Sequence, residues 1–164
     1  MYKNVAKYGF FIALAMILSY IEILIPFNLG IPGAKLGLAN LVVFLLLYSE
    51  GVKSAAIVSF LRILLVGFTF GNLFSIFYSI AGGMLSLGVM ALCQKSKLFS
   101  KIGVSMAGGV SHNIGQILAA AIVLQTPAVF YYLPFLLIAG LVTGGVIGVL
   151  GRQILKSVFT GTGL

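Results

Sequence analysis

The most constraining feature of this chain is a series of apolar stretches of about bilayer-crossing length; of the charged residues, only Glu22 and Arg62 fall inside these stretches, and the rest lie between them or at the two ends of the chain. A helix needs about 20 apolar residues to cross the hydrocarbon, within a range of roughly 17–25. Breaks fall at the Gly/Pro-rich run from Asn28 to Pro32, at Glu50–Lys53, at Gly71-Asn72, at the polar run from Gln94 to Lys101, and at Gln125-Thr126-Pro127. They divide the chain into segments near 8–26, 36–49, 55–70, 73–92, 102–124 and 132–150. The second and third lie at or below the usual length, and joining them differently gives five spans. The expected fold is an all-α integral membrane protein, a single domain of six transmembrane helices over residues 1–164, with a short free tail after Gly151.

Composition agrees with this. Apolar residues make up 61% of the chain and charged residues 7%, against about 25% charged in soluble domains. The formal charge of +8 does not point to nucleic acid, because the basic residues punctuate apolar runs instead of forming a stripe. With the N-terminus inside, one side holds Lys3, Lys7, Lys53, Lys95, Lys97, Lys101, Arg152 and Lys156. The other holds only Lys35. That asymmetry follows the positive-inside rule and places both termini in the cytoplasm. The N-terminal apolar run is too long for a signal-peptide core and contains Glu22, so it reads as an uncleaved first helix.

The acidic inventory excludes much chemistry. Glu22 and Glu50 are the only carboxylates, and there is no Asp. Carboxylate-held Mg²⁺, a glycosidase pair and a phosphate-loop nucleotidase all need residues that are absent. No catalytic residue, metal ligand or cofactor is expected. One cysteine, Cys93, allows no internal disulfide. One histidine without a nearby Cys or carboxylate does not make a zinc site.

Polar groups inside apolar spans need partners or a cavity. Glu22 and Arg62 read either as a structural ion pair or as a ligand anchor. His112, Asn113 and Gln116 lie at three- and four-residue spacings, which suits a compact patch lining a cavity. Lys35 and Asn40 stand beside the first loop, which Gly30 and Gly33 make mobile and Lys35 makes anion-attracting; it reads as a gating lid or as a plain solvated turn. Aromatic residues from Phe68 to Tyr78 and from Phe130 to Tyr132 match an interfacial belt. Small residues recur at four-residue spacing: Gly9 and Ala13; Ser111, Gly115 and Ala119; Gly140, Gly144 and Gly148. Such stripes serve either internal helix packing or docking of another membrane subunit.

Four strings carry a family resemblance: Pro32 to Asn40 (PGAKLGLAN), Leu61-Arg62, Ser79 to Ser86 (SIAGGMLS), and His112 to Gln116 (HNIGQ). Together they resemble the Gx transporter family, also described as heptaprenyl diphosphate synthase component I, over about residues 9–150. The resemblance implies a relative of the S components of energy-coupling factor (ECF) transporters. Those six-helix proteins of the bacterial cytoplasmic membrane bind a micronutrient from outside and pair with a coupling subunit and ATPases. It implies substrate binding by Arg62, His112, Asn113, Gln116, Lys35, Asn40 and Glu22. It also implies a coupling contact at Gly9-x-x-x-Ala13, where S components commonly carry Ala-x-x-x-Ala. The synthase description offers a different role, an accessory membrane subunit in isoprenoid or quinone synthesis without the prenyl-transfer site, since that chemistry uses Asp-rich motifs.

Overall fold

A computed structural model describes residues 2–24 and 37–160. Among them, every regular element is helical: α1 (Tyr2–Leu24), α2 (Leu38–Ser49), α3 (Val52–Phe70), α4 (Leu73–Ser96), α5 (Lys101–Leu124) and α6 (Leu133–Thr160). A 3-10 turn over Pro127–Tyr132 links α5 to α6. Five stretches of the described residues are long and apolar enough to cross a membrane. The exterior is inverted relative to a water-soluble bundle: Phe68, Leu73, Leu92 and Ile122 are each at least 70% exposed. Large apolar faces of this kind need lipid or protein against them. The chain is a multi-pass membrane protein.

Helix α2 is the exception in length. Its 12 residues rise only about 18 Å, against about 36 Å for the 24-residue α4 and α5. It is also the most enclosed helix. Val42, Phe44, Leu46 and Leu47 are each 1% exposed or less and form the centre of the core, with Ala55 and Val58 of α3, Val104 of α5 and Leu155 of α6 around them.

The C-terminal end of α2 is pinned at the lysine-rich end of the bundle. Glu50 pairs with Lys7 of α1 at 2.6 Å. Gln94 of α4 donates to the Leu47 carbonyl at 3.3 Å. Lys101 of α5 sits 5.5 Å from the centre of the Tyr48 ring. Tyr8 and Ser54 hydroxyls meet at 2.9 Å, tying α1 to α3 at the same level.

Helices α4, α5 and α6 are locked by glycine. A methyl group on Gly109 would lie 2.3 Å from the Gly140 carbonyl oxygen, and one on Gly144 would lie 2.7 Å from the Ser105 carbonyl oxygen. The Gly140–Gly144–Gly148 stripe therefore packs on α5, inside the bundle, and offers no face to another subunit. Glycine here permits backbone proximity in a medium where hydrophobicity alone does not drive helices together.

Helix α6 runs past the 150 boundary expected from hydropathy. Gly151 lies against the Phe44 ring and Leu155 is buried, so packing on α2 carries the helix to Thr160. By contrast, Gly9 has no atom within 4 Å of where a side chain would begin, and Ala13 is also exposed.

These contacts predict unequal tolerance to a larger side chain. Gly144→Leu should cost about 1–3 kcal/mol by overpacking, a fall of roughly 3–10 °C in melting temperature. Gly9→Leu should leave it unchanged. A thiol-reactive fluorogenic dye reading out exposure of Cys93 measures both.

Candidate functional site

The truncated α2 leaves space above its N-terminus. That space is a cavity of about 270 Å³ walled by α1, α3, α4 and α5. It is slightly smaller than the roughly 300–1,000 Å³ typical of drug-sized ligands. Five residues expected from sequence line it: Glu22, Asn40, Arg62, His112 and Gln116.

Glycine geometry explains why these five converge. On α4, Gly82 faces α5 and Gly83 faces α3. A methyl on Gly82 would approach the His112 carbonyl oxygen at 2.8 Å and the imidazole Cε1 at 3.1 Å; one on Gly83 would approach Ile63 at 3.1 Å. From the other side, a methyl on Gly115 would lie 2.7 Å from the Ala81 carbonyl oxygen. The strings SIAGGMLS and HNIGQ are thus two halves of one helix contact. It brings His112 and Gln116 on α5 and Arg62 on α3 around the same space.

Arg62 is the central cation of the cavity. Its Nη2 donates to Asn40 Oδ1 over a long 3.4 Å, and its buried Nε has no hydrogen-bond partner among the described residues. Glu22 lies within electrostatic reach of it. Inserting a lone charge at mid-membrane costs about 2.5–3.5 kcal/mol, and an opposite charge nearby offsets part of that. The Glu22 carboxylate also accepts a hydrogen bond from the Gly37 backbone N–H. Gly37 opens α2 with φ 74° and supplies no side-chain cap. The carboxylate of α1 thereby serves as the cap of α2.

Two expected residues stand elsewhere. Asn113 does not line the cavity: its Nδ2 donates to the Leu136 carbonyl of α6 at 2.6 Å. A one-residue step turns a helix by about 100°, so Asn113 faces α6 while its neighbour His112 faces α4. Lys35 lies outside the described residues. Sequence reasoning also passed over Ser19, Ser75 and Ser79, which line the cavity. Ser19 is buried, and its Oγ has no hydrogen-bond partner among the described residues. The signal was available, because Ser19 is one turn from Glu22 on the same helix.

A second, apolar depression of about 330 Å³ adjoins the first at Gln116. It lies between the N-terminal part of α4, the C-terminal part of α5 and the start of α6, with Tyr78, Ile117, Ala120, Leu124 and Tyr132 on its walls. No group of three or more metal-ligating side chains occurs among the described residues.

A bundle of lipid-facing helices that encloses a charged, hydrogen-bonding cavity defines a polytopic membrane protein with a small-molecule-sized interior site. The family model described as Heptaprenyl diphosphate synthase component I matches residues 11–154, and the chain belongs to that family. No curated protein and no solved structure matches it.

The geometry separates two amides that look alike in sequence. Asn113→Ala should cost about 1 kcal/mol, the usual net worth of a hydrogen bond, and lower the melting temperature by roughly 2–4 °C. Gln116→Ala should not, because its side chain has no hydrogen bond among the described residues. The same Cys93 dye assay decides between them.

Proposed function

We propose that this chain is a substrate-binding membrane subunit of the S-component kind, serving an ECF-type uptake system. The observation that carries this reading is the cavity at Arg62. A buried guanidinium whose Nε has no hydrogen-bond partner among the described residues, beside His112, Gln116 and Asn40, suits orienting a small polar ligand. The cavity lies toward the bundle end opposite Lys7, Glu50 and Lys101. Under the positive-inside rule that lysine-rich end is cytoplasmic, so both termini are inside and the ligand arrives from outside. Six membrane helices, the short α2 among them, then make up the bundle. In this reading Lys35 and Asn40 serve the mouth.

Energy comes from other chains, because this one has no phosphate-binding loop. The exposed Gly9–Ala13 stripe on α1 is the contact for a coupling subunit with its ATPases. The setting is the bacterial cytoplasmic membrane.

A second reading has one observation in its favour. The apolar depression beside Gln116 suits part of a prenyl chain, and the family description names a prenyl diphosphate synthase component. In that role the chain is a non-catalytic membrane partner that presents a lipid to a soluble synthase. The 270 Å³ polar cavity is far too small for a heptaprenyl chain, which is why this reading stands second.

Purification in mild detergent followed by mass spectrometry of bound small molecules separates the two. A stoichiometric polar compound that is lost in Arg62→Ala, with ATPase subunits co-purifying, is the expected result. Recovery of prenyl lipid together with a prenyl synthase would transfer the assignment to the accessory role.

A further inference from the structure

We propose that the turn joining α4 to α5 is a binding surface for an anionic phospholipid of the leaflet at the lysine-rich face. The lipid phosphate lies at Lys95 and Lys97, and the acyl chains lie against Leu92 and Phe99. This surface is remote from the cavity and does not depend on what the cavity holds.

The depth of the turn follows from α4. Exposed apolar residues run along this helix from Leu73 at its start to Leu92 near its end. The 19 steps between them (92 minus 73) rise about 28 Å, close to the roughly 30 Å of a hydrocarbon core. Leu92 therefore marks the edge of the hydrocarbon. Lys95 lies about 4.5 Å further along the helix, and the headgroup layer is about 5–7 Å deep on each side. Lys95 and the turn after it stand among headgroups.

The face is the one turned to lipid. Leu85, Gly88 and Leu92 recur at three- and four-residue spacing on the exposed side of α4, and Lys95 comes three residues after Leu92 on the same stripe. The lipid-facing stripe thus ends in an ammonium group at phosphate depth. Lys97 follows it, also exposed, while Lys101 is turned to the Tyr48 ring. Of the two glutamates in the chain, Glu50 pairs with Lys7 and Glu22 lies at the cavity.

The turn holds a defined shape. Lys97 closes α4 with φ 58°, and its N–H donates to the Gln94 carbonyl at 3.3 Å. The Leu98 N–H donates to Ser96 Oγ at 3.3 Å, and the Gly103 N–H donates to Ser100 Oγ at 3.1 Å. Between these caps stand Leu98 and Phe99, 85% and 52% exposed. A methyl group on Gly103 would lie 3.7 Å from Phe99 Cδ1, so the ring is laid against the first turn of α5 and not directed away from the bundle. Large apolar side chains between lysines suit a membrane interface. There the apolar bodies enter the acyl boundary while the ammonium groups reach phosphate. Continuity with the lipid-facing stripe of α4 favours a lipid over a water-soluble protein as the occupant.

The chain contains no tryptophan, so Phe99→Trp places a single fluorescent reporter at the turn. The protein is reconstituted in phosphatidylcholine vesicles that carry a minor fraction of one quencher lipid. The quencher is phosphatidylglycerol or phosphatidylcholine, brominated near the top of the acyl chains. The expected result is quenching by both, with phosphatidylglycerol effective at a lower fraction by roughly fivefold per engaged lysine, the equivalent of about 1 kcal/mol each. Adding Lys95→Gln and Lys97→Gln should abolish that preference while quenching by brominated phosphatidylcholine persists. Leu98→Trp is the second reporter should Phe99→Trp fail to fold. Equal quenching by the two lipids would overturn the proposal, and so would a preference that survives loss of both lysines. Absence of quenching by either lipid would also overturn it. Emission at the wavelength of tryptophan in water would then put the turn in the aqueous phase, and blue-shifted emission would put protein against it.

Discussion

The shortness of α2 organises the molecule. Twelve residues cannot cross about 30 Å of hydrocarbon, so the chain must enter or leave this helix inside the membrane-spanning bundle. Backbone polar groups at that depth are tolerated only where protein buries them or where they line a cavity. Both solutions are used. The body of α2 is wrapped by α1, α3 and α6, with Phe44, Leu46 and Leu47 almost wholly enclosed. Its N-terminus faces the cavity, where Glu22 accepts from Gly37. The void, its polar walls and the internal carboxylate cap all follow from one helix stopping part-way.

The rest of the bundle divides into a tight part and a looser part. Helices α4, α5 and α6 meet through backbone contacts at Gly82, Gly109, Gly115, Gly140 and Gly144, and they form a close-packed slab. Helix α1 is different. Ala15 and Ser19 are its buried residues, while Val5, Phe10, Ile17 and Leu24 are more than half exposed. The slab contributes His112 and Gln116; the looser side contributes Ser19 and Glu22. The cavity lies on the seam between them, with Arg62 on α3 reaching in.

Much of this was legible in the sequence, for physical reasons. Apolar runs and lysine placement report bilayer crossing directly, since lipid leaves few alternatives. Glu22, Arg62 and the HNIGQ string stood out because charged and amide groups are costly among apolar residues. What remained hidden depends on helix rotation and on packing. His112 and Gln116 share a face by four-residue spacing, whereas Asn113, one step on, is turned to α6. Composition cannot reveal whether a glycine stripe faces a sister helix or a foreign one; the neighbours of Gly140, Gly144 and Gly148 decide it. The continuation of α6 to Thr160 depends on Gly151 meeting Phe44, a contact 107 positions away in the chain (151 minus 44). The low apparent length of the second span was visible. Its consequence, a cavity above a half-crossing helix, needed three dimensions.

The polar cavity above α2 lies toward the end of the bundle opposite the lysines. Ser79 lines that cavity on α4, and Cys93 is the only native thiol. The direct measurement places Ser79→Cys in a Cys93→Ser background and treats right-side-out and inside-out vesicles with a membrane-impermeant thiol reagent. With both termini in the cytoplasm, labelling is expected in right-side-out vesicles only. Labelling in inside-out vesicles only, or in neither, would contradict it.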